Sequence, residues 1–580
     1  MISKIPKKQY IVSTVLALIT YVALCGQKVL PLNNFLAFLL IIPLIKAYLK
    51  TDFTKIKRGI LVFSLIISFI LVFGRILYNF RYSNTYSSFK ELFRLKSLLY
   101  IIGNFSFIYS ILDQIIPKLI GIKIKNEISI KKHPFLIPFI VILSCYILYF
   151  IIYYPGILSN DSLLELNMIL GNETITDHHT IIHFLFMKIP YELGYYITRS
   201  KNIAVSFISI TQMIVVSSIY ASMVNFINKR NAPKFLVYIS IIYFALIPMH
   251  GFYSITMWKD IIFSALCLLL TTELYKLVEK KQITIKNSYS FIIVSLLTVF
   301  FRNNAIYMYY ILAITSLYVF RKQLKTIVLM LLIVFGTYYI VKGPVYKYFK
   351  IKTSSSAEYI AIPLQQIGRM AYKNVTFTQS EKEMINKLIP IDELKNSYNP
   401  EIVDSIKFNK KYNVSVFDNN KLEYLKLWAN LCIKHPAIAI ESYLTSTLGY
   451  WYPNVEYWTS LNQIDKNDIG VYQITFIPSS IKEKVTRLAS REVPLIGNTW
   501  CIAACFYIII ISSYITVKRN RKRYLYLFVP VFGIWLTMMV ATPVFAEFRY
   551  VYSAFTCLPF LISVPYLTNN PKKMIKNSTL

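Results

Sequence analysis

Apolar residues in this chain fall in long, nearly unbroken runs, not in the short periodic patterns of half-buried strands or amphipathic helices. Crossing ~30 Å of hydrocarbon at 1.5 Å per residue takes about 17–25 apolar residues, and runs approaching that length recur from end to end. They predict about fourteen transmembrane helices, at 11–24, 35–49, 60–77, 98–116, 135–154, 203–227, 235–248, 261–277, 290–301, 306–320, 326–341, 500–517, 524–540 and 550–567. The expected fold class is therefore an all-α polytopic membrane protein. The first run follows Lys4, Lys7 and Lys8 as a signal peptide would, but no small-residue cleavage site follows, so it is read as a retained span.

The polar segments between the runs alternate in charge. Every second one is basic, as in Lys46, Lys50, Lys55, Lys57 and Arg58, in Lys229, Arg230 and Lys234, in Arg321, Lys322 and Lys325, and in Lys518, Arg519, Arg521, Lys522 and Arg523. Positive loops stay on the cytoplasmic side, which predicts that both termini are cytoplasmic. The alternation closes only if the moderately apolar stretch 177–201 does not cross, so it is expected to lie at the exterior interface or to re-enter. Four regions follow: N-terminal spans over 1–133, a transmembrane core over 134–341 that includes a first exterior loop 155–202, a large and mainly helical exterior domain over 342–499, and C-terminal spans with a tail over 500–580.

Composition agrees with this reading and removes some alternatives. The 580 residues are 56% hydrophobic and 16% aromatic with only 16% charged. Lys and Arg total 63 against 28 Asp and Glu, a net charge of +35 that in a soluble chain would suggest nucleic-acid binding. Here about half of the basic residues lie in the predicted cytoplasmic loops, where they set topology and face an anionic leaflet. The bilayer, and no nucleic acid, is the partner implied. The cysteines Cys25, Cys145, Cys267, Cys432, Cys501, Cys505 and Cys557 mostly sit inside apolar runs without C-x-x-C spacing, which points away from a disulfide framework or a zinc-thiolate site.

Ionisable groups at the exterior ends of spans carry the most information, because charge beside lipid is costly and usually faces a cavity. After the fifth run comes YYPGILSNDS, in which Pro155 and Gly156 end one helix and Ser159 or Asn160 caps the next. Asp161 then lies in a first helical turn, either as a carboxylate favoured by the helix dipole or as a general base. Next come Asp177, His178, His179 and Thr180, with His183 one turn past His179. This spacing suits hydrogen bonding to a phosphate or sugar, interfacial placement, or a divalent metal near Asp161, His178 and His179, although the glutamate of an H-E-x-x-H site is missing. Met257-Trp258-Lys259-Asp260 opens the eighth span, with His250 at the end of the seventh. Lys259 and Asp260 either pair with one another while snorkelling or bind a lipid-linked phosphate. Arg302-Asn303-Asn304 follows the ninth span and Glu547-Phe548-Arg549-Tyr550 opens the last. Arginine forks there suit phosphate oxygens or simple interfacial anchoring. The topology brings all of these groups to one face, which reads as an active site or a transport gate.

The succession YYPGILSND, DHHTIIHFLF, MWKD, FRNN and EFRY resembles the GT-C superfamily of integral membrane glycosyltransferases, and within it a group of multi-pass proteins of Gram-positive bacteria. Protein O-mannosyltransferases, aminoarabinose transferases and oligosaccharyltransferase catalytic subunits belong to that superfamily. The resemblance runs from about residue 153 to the C-terminus and leaves the first four spans outside. It implies a GT-C-like fold and transfer of a sugar from a polyprenyl-phosphate donor to a glycan, teichoic acid or lipid acceptor on the outer face. Asp161 matches the acidic residue of the first exterior loop in such enzymes. Lys259, Arg302 and Arg549 match the cations that bind the donor phosphate, and Arg549-Tyr550 matches an arginine-tyrosine pair near the end of several members. Two features depart from the pattern: the acidic motif follows the fifth span instead of the first, and Asn160 stands where several members carry a second acid.

The expected chemistry is a single displacement at the anomeric carbon, with Asp161 as catalytic base and the donor and acceptor held by His178, His179, Lys259, Asp260, Arg302, Asn303, Glu547, Arg549 and Tyr550. Two rival functions fit the same face: a transporter or flippase of lipid-linked sugars or cell-wall precursors, and a polymerase or ligase of surface polysaccharide.

Overall fold

The computed structural model describes residues 6–29, 35–51, 57–85, 87–124, 127–177, 180–351, 360–541 and 544–568. Among them the regular secondary structure is helical, with no β-strand beyond two isolated bridges. Among the described residues, seven helices are long and apolar enough to cross a membrane: Lys7–Gly26, Arg58–Phe80, Leu95–Ile120, Lys201–Lys229, Lys259–Glu279, Arg321–Tyr348 and Lys522–Val540. An eighth crossing results if Lys234–Leu246 and Pro248–Ser254 form one span bent by 53°. The bend has a local cause. Ile247 is extended (φ −71°, ψ 122°) ahead of Pro248, which has no N–H to continue the helix and disfavours a helical residue before it.

The sequence predicts about fourteen crossings, and the described helices meet the requirement of length and composition seven or eight times. Ala37–Leu49, Leu136–Ile152, Ile285–Phe301, Ala305–Val319 and Ile502–Lys518 are apolar but shorter. The run at 550–567 forms the helix Tyr552–Ser563 between two 3-10 turns. Residues 177–201, expected not to cross, contain the helix Ile181–Thr198, which ends on a left-handed Arg199 (φ 55°).

The chain divides into two compact units, Met1–Ile122 with Ser356–Val455 and Met539–Ala546, and Lys123–Ser355 with Glu456–Met538 and Glu547–Leu580. The segment expected as one exterior domain, 342–499, is thus shared between them. In the first unit, short helices between Ala361 and Ser446 enclose their own core of Leu364, Ile367, Met370, Ile385, Leu388 and Leu431. They are fastened to the end of Arg58–Phe80, where Arg81 pairs with Glu401 at 2.6 Å and its carbonyl accepts from Arg369 at 2.5 Å. Gly74 is needed there because a Cβ would lie 2.6 Å from the Tyr452 ring.

The second unit is built around Lys259–Glu279, whose side chains are apolar and buried nearly all round, the signature of a central helix. Lys201–Lys229, Ile285–Phe301 and Tyr552–Ser563 pack against it. Its N-terminus, with Lys259 and Asp260, is where the candidate site forms.

Candidate functional site

The site begins with two loops that run side by side. Ile157 donates to the Ile255 carbonyl at 2.9 Å and accepts from Met257 at 3.1 Å, a parallel bridge between the segment after Leu136–Ile152 and the segment before Lys259–Glu279. The approach requires Gly156: its φ is +143°, and a Cβ would sit 2.3 Å from the Ser209 hydroxyl. Ser159 caps the helix Asn160–Ile169 by accepting from the Ser162 N–H, and it also accepts from the Trp258 indole at 2.8 Å. The Ser162 hydroxyl donates to the Met257 carbonyl at 2.5 Å. These bonds hold Asp161, in the first helical turn, beside Lys259 and Asp260, about a hundred residues away in sequence. Asp161, Asp260 and Glu165 are the carboxylates whose charge acts on the Lys259 ammonium.

Two further segments supply arginines. Arg549 donates to Asp161 Oδ2 at 2.8 Å and lies over the Trp258 and Tyr550 rings at 5.0 and 5.1 Å. The Asp161 side chain is 43% exposed and that of Arg549 19%, so this pair faces an opening. Glu547 stands 3.4 Å from Arg549 Nε. Burial pushes the Glu547 carboxyl up to about 7, with Asp260 and Asp161 adding to the rise against the pull of Arg549. Arg302 is buried, pairs with Asp260 at 3.1 Å and donates to the Tyr550 carbonyl at 2.9 Å, with its guanidinium 4.8 Å from the Tyr550 ring. The sequence left open whether Asp260 pairs with its neighbour Lys259. Asp260 pairs with Arg302, and its charge acts on Lys259 as well.

The structure therefore brings together Asp161, Lys259, Asp260, Arg302, Glu547, Arg549 and Tyr550 from four segments. Asn303, next to Arg302, is bonded within the protein. Its amide donates to the Asp177 carbonyl at 2.7 Å and its oxygen accepts from Lys342 at 2.7 Å. Lys342 also grips both Asp177 oxygens at 2.6 and 2.7 Å, and Tyr346 donates to one of them at 3.1 Å. Lys342 sits in the π-helical turn Val341–Val345, where Gly343 and Pro344 loosen the helix that continues Leu324–Ile340. This second cluster fixes the backbone immediately after Arg302. Its signal in the sequence was a lysine at the end of a span followed by Gly-Pro.

His178 and His179 lie outside the described residues. His183 is fully buried and its Nδ1 is 2.8 Å from Glu165, one turn beyond Asp161 on the same helix. The i, i+4 spacing of His179 and His183 had suggested metal binding. His183 faces a carboxylate, and among the described residues no group of three or more His, Cys, Asp or Glu is placed to hold a metal ion. The sequence singled out His250 as well. It is buried in the bent helix pair, where Tyr552 bonds its Nδ1 at 2.6 Å.

Three cations here each carry an acid: Arg549 has Asp161 and Glu547, Arg302 has Asp260, and Lys342 has Asp177. An anionic ligand therefore competes with a carboxylate, and the exposed Asp161–Arg549 pair is the one that yields at least cost.

Residues 171–577 match DUF6020, a family of unknown function. The matched stretch takes in Lys259, Asp260, Arg302, Lys342, Glu547 and Arg549 and begins after Asp161. No curated protein and no solved structure matches the chain.

Proposed function

We propose that this chain, which belongs to the DUF6020 family, is a membrane glycosyltransferase that moves a sugar from a polyprenyl-phosphate donor to a cell-envelope acceptor on the outer face. The observation that carries the reading is the half-open pair of Asp161 and Arg549, backed by Lys259, Asp260 and Arg302, at the N-terminal end of the central helix. A phosphate offers the guanidinium two oxygens in place of one carboxylate, so donor binding at Arg549 releases Asp161. The freed carboxylate takes the proton of the acceptor hydroxyl. The acceptor oxygen bonds to the anomeric carbon as the bond from that carbon to the phosphate oxygen breaks, and polyprenyl phosphate leaves with the electron pair. Negative charge grows on the departing phosphate, where fixed cations lower the barrier most. An apolar cleft of about 300 Å³ in the same unit, lined by Ile311, Leu525, Phe528, Phe532 and Leu536, has the chemistry a polyprenyl tail needs. The GT-C-like fold, the exterior site and the cytoplasmic termini belong to this proposal.

A second reading rests on the bend between Leu246 and Pro248, since broken helices line the substrate paths of transporters. In it the same charged cluster gates the flipping of a lipid-linked sugar. Radiolabelled sugar transfer in membranes containing wild type or Asp161→Asn separates the two. Transfer that disappears in the variant supports catalysis, and transfer unchanged by it removes Asp161 from the reaction.

A further inference from the structure

The segment 456–478 lies across the turn that holds Asp161. Asp465 Oδ2 accepts from the Asn160 N–H at 2.9 Å, and the Asp465 N–H donates to the Leu158 carbonyl at 3.0 Å. At the other end of this crossing, the Thr459 carbonyl accepts from the Tyr253 hydroxyl at 2.7 Å, and the Thr459 hydroxyl donates to the Ala489 carbonyl. Trp458 is thus held at its backbone by a neighbour bonded on two sides. Its ring centre is 5.6 Å from that of Trp258 at 63°, and Trp258 is the residue whose ring carries Arg549 and whose indole N–H bonds Ser159. Trp258 is 2% exposed, whereas Trp458 is 46% exposed. One indole is therefore buried under the guanidinium, and the next presents open aromatic surface one ring away from it and beside the turn of the exposed carboxylate.

A large, rigid, half-exposed indole one ring away from a charged pair suits a ligand with both a polar and an apolar face. A pyranose ring is such a ligand: its axial C–H bonds form an apolar, slightly positive face that the electron-rich indole face attracts, while its hydroxyls stay with water and polar groups. From this placement we infer that Trp458 is the platform on which the hexose of the donor stacks, making it a specificity-determining residue for the sugar as distinct from the phosphate. The inference rests on the glycosyltransferase reading for the identity of the donor, but the recognition of a sugar by Trp458 is separable from it. The anchoring of an indole at a membrane interface, the ordinary use of an exposed Trp in such proteins, predicts no discrimination between a sugar-bearing lipid and its bare phosphate.

The test uses the full chain in lipid nanodiscs with three probes: a short-chain prenyl phosphate, the same phosphate carrying glucose, mannose or galactose, and the corresponding methyl hexosides. In wild type at least one hexose is expected to tighten binding over the bare phosphate. Trp458→Ala should lose about tenfold in affinity for that hexosyl lipid and little for the bare phosphate, while Trp458→Phe, which keeps an aromatic face, should recover most of the loss. Equal loss for both lipids, or no loss for any hexose, overturns the platform. If the lipid phosphate fails to bind but a methyl hexoside binds in a Trp458-dependent way by saturation-transfer NMR, the sugar platform stands and the phosphate reading falls. If neither binds, both fall.

Discussion

Each of the two units contains a cluster of acids and cations, and the clusters differ in how much of them water can reach. In the first unit Glu441 meets Arg369 at 2.5 Å and Lys373 at 3.0 Å, with Arg369 and Glu441 almost completely buried. In the second, Asp161 meets Arg549 at 2.8 Å with nearly half of its side chain exposed. The closed cluster ties the helices Ala361–Tyr372 and Pro436–Ser446 together, and every charge in it is committed to another part of the chain. The open one keeps an arginine and a carboxylate where a ligand can replace either partner. Buried charge is costly unless paired, so the first arrangement is explained by folding, whereas a pair left open to solvent adds little to stability and needs another explanation.

The contrast is sharpest when one member of each pair is neutralised. Glu441→Gln removes the carboxylate that faces Arg369 in a buried site, and a loss of about 3–5 kcal/mol in stability is expected, read from thermal unfolding of the purified protein. Asp177→Asn should follow with about 2–3 kcal/mol, because Lys342 is mostly buried and Asn303 loses the frame that holds it. Sugar transfer should also fall in this variant, since Asn303 adjoins Arg302. A variant as stable as wild type would show that the second cluster is not a support. Replacing Gly156 by Ala, which collides with Ser209, should cost a further measurable amount, about 1–3 kcal/mol, and separate Asp161 from Lys259.

The smallest effect is the pH dependence of Glu547. Its carboxyl holds a proton more tightly in the folded chain than in the unfolded one, where the ordinary value is near 4.5. The stabilising contribution is therefore complete below about 4.5 and is lost as pH rises through about 7. Wild type should lose a few degrees more in Tm between pH 5 and 8 than Glu547→Gln does. Parallel curves for the two proteins would break the argument.

These expectations also show what could be read from the chain beforehand. Apolar runs located the helices, since a span announces itself by composition over a single stretch. YYPGILSND, MWKD, FRNN and EFRY stood out because charges are rare beside such runs. The pairings among them were not legible. Asp260 pairs with Arg302, and Lys342 reaches back to Asp177, because helix packing sets these distances and nothing local encodes them. The same holds for Glu165 with His183, residues 18 positions apart that packing brings to 2.8 Å. The segment 342–499 was recognisable as folded from its recurring apolar residues. That pattern does not say which partner each half packs on, so the division near Val455 could not be foreseen. Trp458 was invisible among many aromatic residues until the fold set it beside Trp258.

The most direct test compares both clusters in one experiment. Purified wild type, Asp161→Asn and Glu441→Gln are reconstituted in liposomes with a radiolabelled polyprenyl-phosphate hexose and an envelope acceptor extract, and transfer is expressed per folded molecule. Asp161→Asn is expected to stay folded but lose about 10²–10⁴ in rate, while Glu441→Gln loses folded protein but keeps its rate per folded molecule. Wild-type transfer by Asp161→Asn, or no transfer by wild type from any polyprenyl-phosphate hexose, would contradict this expectation.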